Sequence, residues 1–228
     1  MLDDGSPASY YADTRKRLAE LLRSLDDDQL AQVVPATPAW TVLDVARHLA
    51  GVCDDVLAGR LEGAATDPWT AKQVEARRDA TLDDVLAEWD DKGPQLERFF
   101  EAAGPAAFRL VIDVVTHEQD VRGALGLFGG RDTAAAEWSL QQLVGNVDRV
   151  IRRQGAPPLR IRAGTDEWLL GGDGEAAATL TAEPYELLRA LIGRRSEVQM
   201  RAYDWTGDPE PYLRLLPVFP PPASDLRE

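Results

Sequence analysis

The sequence predicts a multidomain α+β protein: a four-helix bundle over residues 1–154, followed by a small α+β domain over residues 157–228. Two observations support this division. Up to about Gln154, apolar residues recur at spacings of three and four, which is the period of an amphipathic helix. Beyond Gly155–Pro158 the segments become short and partly alternating, as half-buried strands are. The Gly-Ala-Pro-Pro stretch between the two patterns therefore indicates a linker.

The composition excludes several classes of protein. A chain of 228 residues with 44% hydrophobic residues can bury a core, which rules out a disordered chain. With 39 acidic against 25 basic residues the net charge is -14, so neither a nucleic acid nor a membrane is expected as a partner. Cys53 is the single cysteine, and neither a signal peptide nor a membrane span of about 20 apolar residues is present. These features predict a cytoplasmic protein.

The first two helices are predicted from their apolar faces and their start signals. One covers about residues 7–25, where apolar side chains line one side. The next begins after Thr41, which together with Asp44 resembles a capping box. Glycines favour helix ends, so this helix should stop near Gly59 or Gly63.

Two further helices follow in the same part of the chain. Thr81 with Asp84 forms a second capping pattern, and the helix that it opens contains Pro94, which predicts a kink or a break. Another helix is predicted after Pro105, ending at Gly129–Gly130, where a C-cap is expected.

The last helix of the bundle is predicted after Thr133 and runs to Gln154. Long helices joined by short connections are typical of a bundle.

In the second domain, the glycine-rich residues 171–174 predict a hairpin turn. Four strands are predicted at residues 159–164, 167–172, 175–182 and 197–204, with a helix from Pro184 to Ile192 and a short one from Pro209.

The two histidines, His48 and His117, are candidates for the chemistry. Each lies in the middle of a predicted amphipathic helix, and Asp113 precedes His117 by one helical turn on the same face. If His48 faces the same interior, two nitrogens and one oxygen could bind a divalent metal and leave positions open for water or substrate. The alternative is an interior histidine and a simple ion pair at i, i+4 spacing. Motifs for a nucleophile elbow, a phosphate loop or a zinc protease are absent from the sequence.

Two segments carry a resemblance to a known family. Residues 40–51, WTVLDVARHLAG, and residues 116–126, THEQDVRGALG, resemble two motifs of the mycothiol-dependent maleylpyruvate isomerase family. Residues 191–195, LIGRR, are similar, more loosely, to part of that family's C-terminal domain. The resemblance covers nearly the whole chain and implies that residues 1–154 form a DinB-like four-helix bundle.

The resemblance also implies a metal site and an activity. The ligands would be His48, Asp113 and His117, and the metal is usually zinc; the family's acidic ligand is a glutamate, which Asp113 replaces with a shorter side chain. The implied activity is that of a metal-dependent transferase or isomerase that uses a mycothiol-like thiol as cosubstrate on an electrophilic small molecule. A non-catalytic member that binds a small ligand or a regulatory protein is the alternative. A monomer or a homodimer is expected.

Other side chains have possible supporting roles. Trp40 could wall the pocket, and Arg194 could contact an anionic substrate from the second domain, although a solvated cation at a helix end is the simpler interpretation. Asp120 could accept a hydrogen bond from an imidazole or form an ion pair. Asp44 is interpreted as a capping residue, and Cys53 as buried and inert.

Overall fold

The structure is a computed structural model that describes residues 5–103 and 108–227. Its contacts divide the chain into two compact units, of which the first extends to Gly130 and the second spans Arg131–Arg227. The described part of the first unit is helical, and the second contains a four-stranded sheet. The predicted α+β fold class is therefore confirmed. None of the described helices is long and apolar enough to cross a membrane.

The first unit is built around a bundle of four long helices. The described residues of this unit form α1 (Pro7–Arg23), α2 (Asp27–Leu30), α3 (Val42–Leu57), α4 (Asp67–Glu75), α5 (Leu82–Ala103) and α6 (Phe108–Ala124). Of the long helices, α1 and α3 each pack against both α5 and α6, while the short α4 lies against α3. The fully buried apolar side chains of the bundle include Leu18, Leu22, Leu49, Trp89, Leu96 and Val114.

Side-chain caps determine where the bundle helices begin. The Thr41 hydroxyl accepts a hydrogen bond from the backbone N–H of Asp44 at 3.2 Å, and the Asp44 carboxylate accepts one from the backbone N–H of Thr41 at 3.0 Å. The same reciprocal pair forms between Thr81 and Asp84 at the start of α5. Both capping boxes predicted from the sequence are thus confirmed, and they satisfy backbone donors that the first helical turn leaves unpaired.

Helix α5 continues through Pro94, so the break that the sequence allowed is not found. Proline removes only one backbone hydrogen bond, and ion pairs to α1 hold the helix on both sides of it. Arg15 donates to Glu97 and to Asp90, each at 3.0 Å. Gly93 makes room for this arginine, because a Cβ there would lie 2.4 Å from its Nε.

In the second unit a helix packs against a mixed sheet. The elements are α7 (Ala134–Gln154), β1 (Leu159–Ala163), β2 (Asp166–Leu170), β3 (Ala178–Ala182), α8 (Pro184–Leu191), α9 (Glu197–Arg201) and β4 (Asp204–Thr206). Strand β1 pairs antiparallel with β2 and parallel with β3, which in turn pairs antiparallel with β4, giving the order β2-β1-β3-β4. Helix α7 packs against α8 and β2.

Three predictions for the second unit are wrong. The strand predicted at residues 197–204 is wrong: Glu197–Arg201 forms α9, because Ser196 and Gln199 make a capping box that starts a helical turn, and the strand β4 begins only at Asp204. The chain after Pro209 forms turns, not a helix. Residues 171–174 are not a hairpin, because β2 pairs with β1 and the chain then passes to β3 on the other side of β1.

The division of contacts differs from the predicted domain boundary. The sequence assigns α7 to the bundle and expects a linker at Gly155–Pro158, whereas the contacts of α7 with α8 and β2 group it with the second unit. Gly155 adopts a left-handed conformation, with φ of 64°, and ends α7. The boundary after Gln154 stays a prediction that fragments of the chain can test.

Candidate metal centre

The three predicted ligands converge inside the first unit. His48 comes from the middle of α3, and Asp113 and His117 come from successive turns of α6, which packs against α3. Nε2 of His48 lies 3.6 Å from Oδ2 of Asp113, and Nε2 of His117 lies 3.6 Å from Oδ1 of the same carboxylate. The centroids of the two imidazole rings are 5.0 Å apart. His48 therefore faces the same interior as the second motif.

These distances match the spacing of ligands around an ion better than that of hydrogen bonds. A separation of 3.6 Å is too long for a hydrogen bond between a nitrogen and an oxygen. Two ligand atoms that are each about 2.1 Å from a tetrahedral zinc ion lie about 3.4 Å from one another. One atom from each of the three residues lies within 4.8 Å of the others, so the group could hold a metal ion.

The candidate centre is buried on the imidazole side and open on the carboxylate side. The side chains of His48 and His117 are 3% and 8% exposed, whereas that of Asp113 is 29% exposed. Three protein ligands leave at least one coordination position of a divalent ion free. An ion held here could therefore exchange water or another ligand with solvent on the Asp113 side.

The second nitrogen of each imidazole also lies beside an acceptor. Nδ1 of His48 is 2.7 Å from Oε1 of Gln73 on α4. Nδ1 of His117 is 3.1 Å from Oδ2 of the buried Asp120, which is an ion-pair distance without the direction of a good hydrogen bond. An acceptor bonded to Nδ1 directs the opposite nitrogen, Nε2, toward a metal, and Gln73 meets this condition at His48.

Gln73 is the site residue that the sequence interpretation missed. It lies on α4, a helix that was not predicted because its apolar residues show little periodicity. The start of this helix carries a recognisable signal, since Thr66 precedes Asp67 and a proline follows near the first helical position.

Trp40 lies against both imidazoles, as expected of a pocket wall. Its ring centroid is 4.8 Å from that of His48 and 5.8 Å from that of His117. The backbone of this tryptophan is fixed just before α3: its N–H donates to the Thr37 carbonyl, and its carbonyl accepts from the Val34 N–H. The indole thus has a defined position beside the candidate centre.

Two other predicted residues lie elsewhere. Arg194 belongs to the second unit, where it follows Gly193 and donates its backbone N–H to the Arg189 carbonyl at 2.7 Å; its contact with a substrate stays a prediction.

Cys53 lies on α3 and is fully buried, with its sulfur 2.9 Å from the hydroxyl of Tyr11. Burial raises the pKa of the Cys53 thiol to about 11. The prediction that Cys53 is buried is confirmed.

The polar residues next to His117 have structural partners. All five side chains from Thr116 to Asp120 are buried. Glu118 accepts two hydrogen bonds from Arg17, at 2.7 and 2.6 Å, and a third from Arg122 at 3.0 Å. Arg122 is therefore held in a structural ion pair.

The family model of the DinB superfamily matches residues 10–130, which is more than half of the 228 residues. The chain therefore belongs to the DinB superfamily. No curated protein matches the sequence.

Two solved structures share the fold over nearly the full length. They are crystal structures of a mycothiol-dependent maleylpyruvate isomerase, one of them of a mutant. The TM-scores are 0.56 for the mutant and 0.54 for the other structure, with sequence identities of 12% and 11%. Each similarity covers 95% of this chain and 95% of the other. The similarity confirms the DinB-like α+β fold.

Proposed function

We propose that this protein is a metal-dependent enzyme that adds or transfers a low-molecular-weight thiol to an electrophilic small molecule. The observation that carries this proposal is the convergence of His48, Asp113 and His117 into a group that is open to solvent on one side. Its full-length structural similarity to a mycothiol-dependent isomerase supports the choice of a thiol as cosubstrate.

The donor set is suited to zinc. Two neutral imidazoles and one carboxylate would leave a bound divalent ion with a net positive charge and an open position. A divalent ion held by these residues would supply the positive charge that lowers the pKa of a thiol beside it. The role of His48, Asp113 and His117 is to hold that charge at a fixed place beside the opening.

The protein offers no nucleophilic thiol of its own for this chemistry. Cys53 is its single cysteine, and the side chain is buried with a raised pKa. A thiolate at neutral pH must therefore come from a separate molecule that enters from solvent. The exposed side of Asp113 is the entrance that we propose for this thiol.

Neighbouring side chains would orient the ligands and shape the pocket. We assign to Trp40 the exclusion of water from the imidazole side and contact with substrate, because its ring covers both histidines. Asp120 would hold the ring of His117 in place. Arg194 is proposed to bind an anionic group of the substrate. A cytoplasmic monomer or homodimer remains our prediction.

Metal analysis followed by a thiol-consumption assay tests the proposal. The purified protein should contain about one divalent ion per chain. The loaded protein should consume mycothiol with an electrophile that forms a stable thioether, or isomerise an electrophile such as maleylpyruvate with the thiol recovered unchanged. The Asp113→Asn variant serves as the inactive comparison, and Asp91→Asn, on an exposed part of α5, serves as the matched control. A protein without metal, or equal turnover by wild type and Asp113→Asn, would favour a non-catalytic binding protein instead.

A further inference from the structure

Gln73 is the one residue of α4 that is buried, and all of its side-chain polar atoms are used. Its side chain is 3% exposed, while the other residues of the helix are exposed or half-buried. Its Oε1 atom is 2.7 Å from Nδ1 of His48, and its Nε2 atom is 2.7 Å from Oδ2 of Asp55. Burying a side-chain amide costs free energy unless its oxygen and its NH₂ group are both hydrogen-bonded. These two hydrogen bonds, and not apolar packing, therefore account for the buried position of Gln73.

The partners of Gln73 determine which way its amide points. A carboxylate can only accept hydrogen bonds, so the Asp55 oxygen requires the NH₂ group of Gln73 on its side. Arg60 donates to the other oxygen of Asp55 at 2.8 Å, which keeps this carboxylate paired. The carbonyl oxygen of Gln73 must then face His48.

The same reasoning fixes the proton on His48. A carbonyl oxygen only accepts, so Nδ1 of His48 must carry the hydrogen that bonds to Gln73. In the neutral ring the free electron pair then lies on Nε2. This atom is the one that lies 3.6 Å from Asp113, within the candidate metal group.

A glycine in α3 makes this contact sterically possible. Gly51 lies one turn after His48, and a Cβ added there would be 2.5 Å from Cβ of Gln73 and 2.8 Å from its Cγ. Real side chains do not approach so closely, so any larger residue would displace Gln73. The last residue of the first sequence motif therefore has a steric reason to be glycine.

An ion pair ties the residues after α4 to the bundle independently of the Gln73 side chain. Arg77 donates to both oxygens of Glu88 on α5, at 2.8 and 2.6 Å, and its third bond goes to the backbone carbonyl of Gln73 at 3.2 Å. Helix α4 is thus held at both α3 and α5, and Gln73 is fixed through its backbone as well as its side chain.

We propose that Gln73 is a positioning residue that holds His48 as the Nδ1–H tautomer with Nε2 directed at Asp113 and His117, and that Gly51 provides the space for it. The role of this tautomer in metal binding rests on the proposed function, but the tautomer itself can be measured in the metal-free protein. The tautomer and the metal site can therefore be disproved separately.

The tautomer can be read by long-range ¹H–¹⁵N NMR of the metal-free protein above the pH at which its imidazoles titrate. The chain has only two histidines, so a His117→Ala variant assigns the signals. Wild type should show His48 protonated on Nδ1, and Gln73→Met, which keeps the shape but removes both hydrogen bonds, should show a mixture of tautomers. Gln95→Met is the matched control, because Gln95 also donates to an aspartate but is exposed on α5.

Zinc titration of the same proteins gives the second measurement. Gln73→Met and Gly51→Ala should each bind zinc roughly 10- to 100-fold more weakly than wild type, the usual loss for an outer partner of a metal-binding histidine. Gly145→Ala on α7 is the control for Gly51→Ala, because an added Cβ there meets no atom closer than 4.0 Å. Thermal unfolding of each variant verifies that it is folded.

His48 protonated on Nε2 in wild type, or a tautomer unchanged in Gln73→Met, would overturn the inference. So would a changed tautomer with unchanged zinc affinity, because Gln73 would then be structural only. If wild type binds no zinc, the proposed function fails, and the NMR result alone still decides whether Gln73 fixes the tautomer.

Discussion

His48 and His117 are both buried, but their neighbours hold them in different ways. The first has a neutral amide at Nδ1, and the second has the carboxylate of Asp120. The sequence could predict that His117 and Asp113 share a helix face, because the spacing alone determines this. It could not predict Gln73, because α3 and α4 come together through a glycine contact that no periodicity reveals.

Replacement of His117 by alanine should remove the metal. Two remaining ligands form a poor chelate, so metal content should fall from about one ion per chain to near zero after dialysis. Elemental analysis of the dialysed protein measures this. Trp40→Phe is the control, because it changes a side chain that contacts the imidazoles without removing a ligand, and it should keep its metal. Full occupancy in His117→Ala would contradict the ligand assignment.

The carboxylate at position 113 should matter for its charge more than for its length. We expect Asp113→Glu to preserve metal binding, since its longer side chain can reach the same ion from the half-exposed side of the site. Asp113→Asn should bind metal more weakly, because the neutral amide is a poorer ligand for a divalent cation. Competition titration with a zinc chelator compares the two variants. Equal affinities of Asn and Asp at this position would exclude it as a ligand.

At the scale of single elements, capping patterns in the sequence predict where helices start. The sequence does not predict the polar helix α4 or the order of the strands. The Thr41 and Thr81 caps are encoded within four residues of sequence, so they are visible without tertiary information. In residues 197–204 the alternation of side chains predicts a strand, but Ser196 caps the helix α9 over Glu197–Arg201. The parallel pairing of β1 with β3 depends on contacts between distant segments, which short patterns do not specify.

The capping box at the start of α3 should make part of the stability depend on pH. Burial raises the pKa of Asp44, but hydrogen bonds from the Thr41 backbone and from Arg47 outweigh this and lower it below its ordinary value of 3.8. A lowered pKa in the folded state adds stability above the unfolded pKa, and this contribution is lost as the pH falls through the folded pKa.

Asp44→Asn should therefore be less stable than wild type at pH 7, by an amount of the order of a cap, about 1 kcal/mol. Because a protonated aspartate resembles asparagine, the difference should shrink once the pH falls below the folded pKa. Urea unfolding at pH 7 and at successively lower pH values measures it. Asp84→Asn, whose carboxylate caps α5, provides a comparison on an exposed box. A difference that is the same at every pH would show that the charge of Asp44 has no part in stability.

For the whole molecule, the sequence indicated two parts but placed their boundary after α7. Periodicity detects an amphipathic helix without specifying which core its apolar face joins, so α7 was assigned to the helical part. Its contacts with α8 and β2 instead place it in the second unit. The change of pattern at Gly155–Pro158 coincides with the change from helix α7 to strand β1.

Fragments of the chain can separate the two boundaries. A fragment of residues 1–130 keeps α1, α3, α5 and α6 with all three candidate ligands, so we expect it to fold and to bind zinc. A fragment of residues 1–154 also carries α7 but lacks its packing partners α8 and β2, so we expect buried apolar side chains of α7, such as Leu140, Leu143 and Ile151, to become more exposed.

The longer fragment should therefore associate or precipitate more readily than the shorter one, despite having more helix. Light scattering and circular dichroism of both fragments at matched concentrations compare their association and their helix content, and zinc titration compares their sites. A version of the longer fragment with Leu140, Leu143 and Ile151 changed to glutamine is the control, because it should regain the solubility of the shorter fragment. If residues 1–154 are monomeric and unfold at a higher temperature than residues 1–130, then α7 stabilises the bundle and the boundary lies after Gln154.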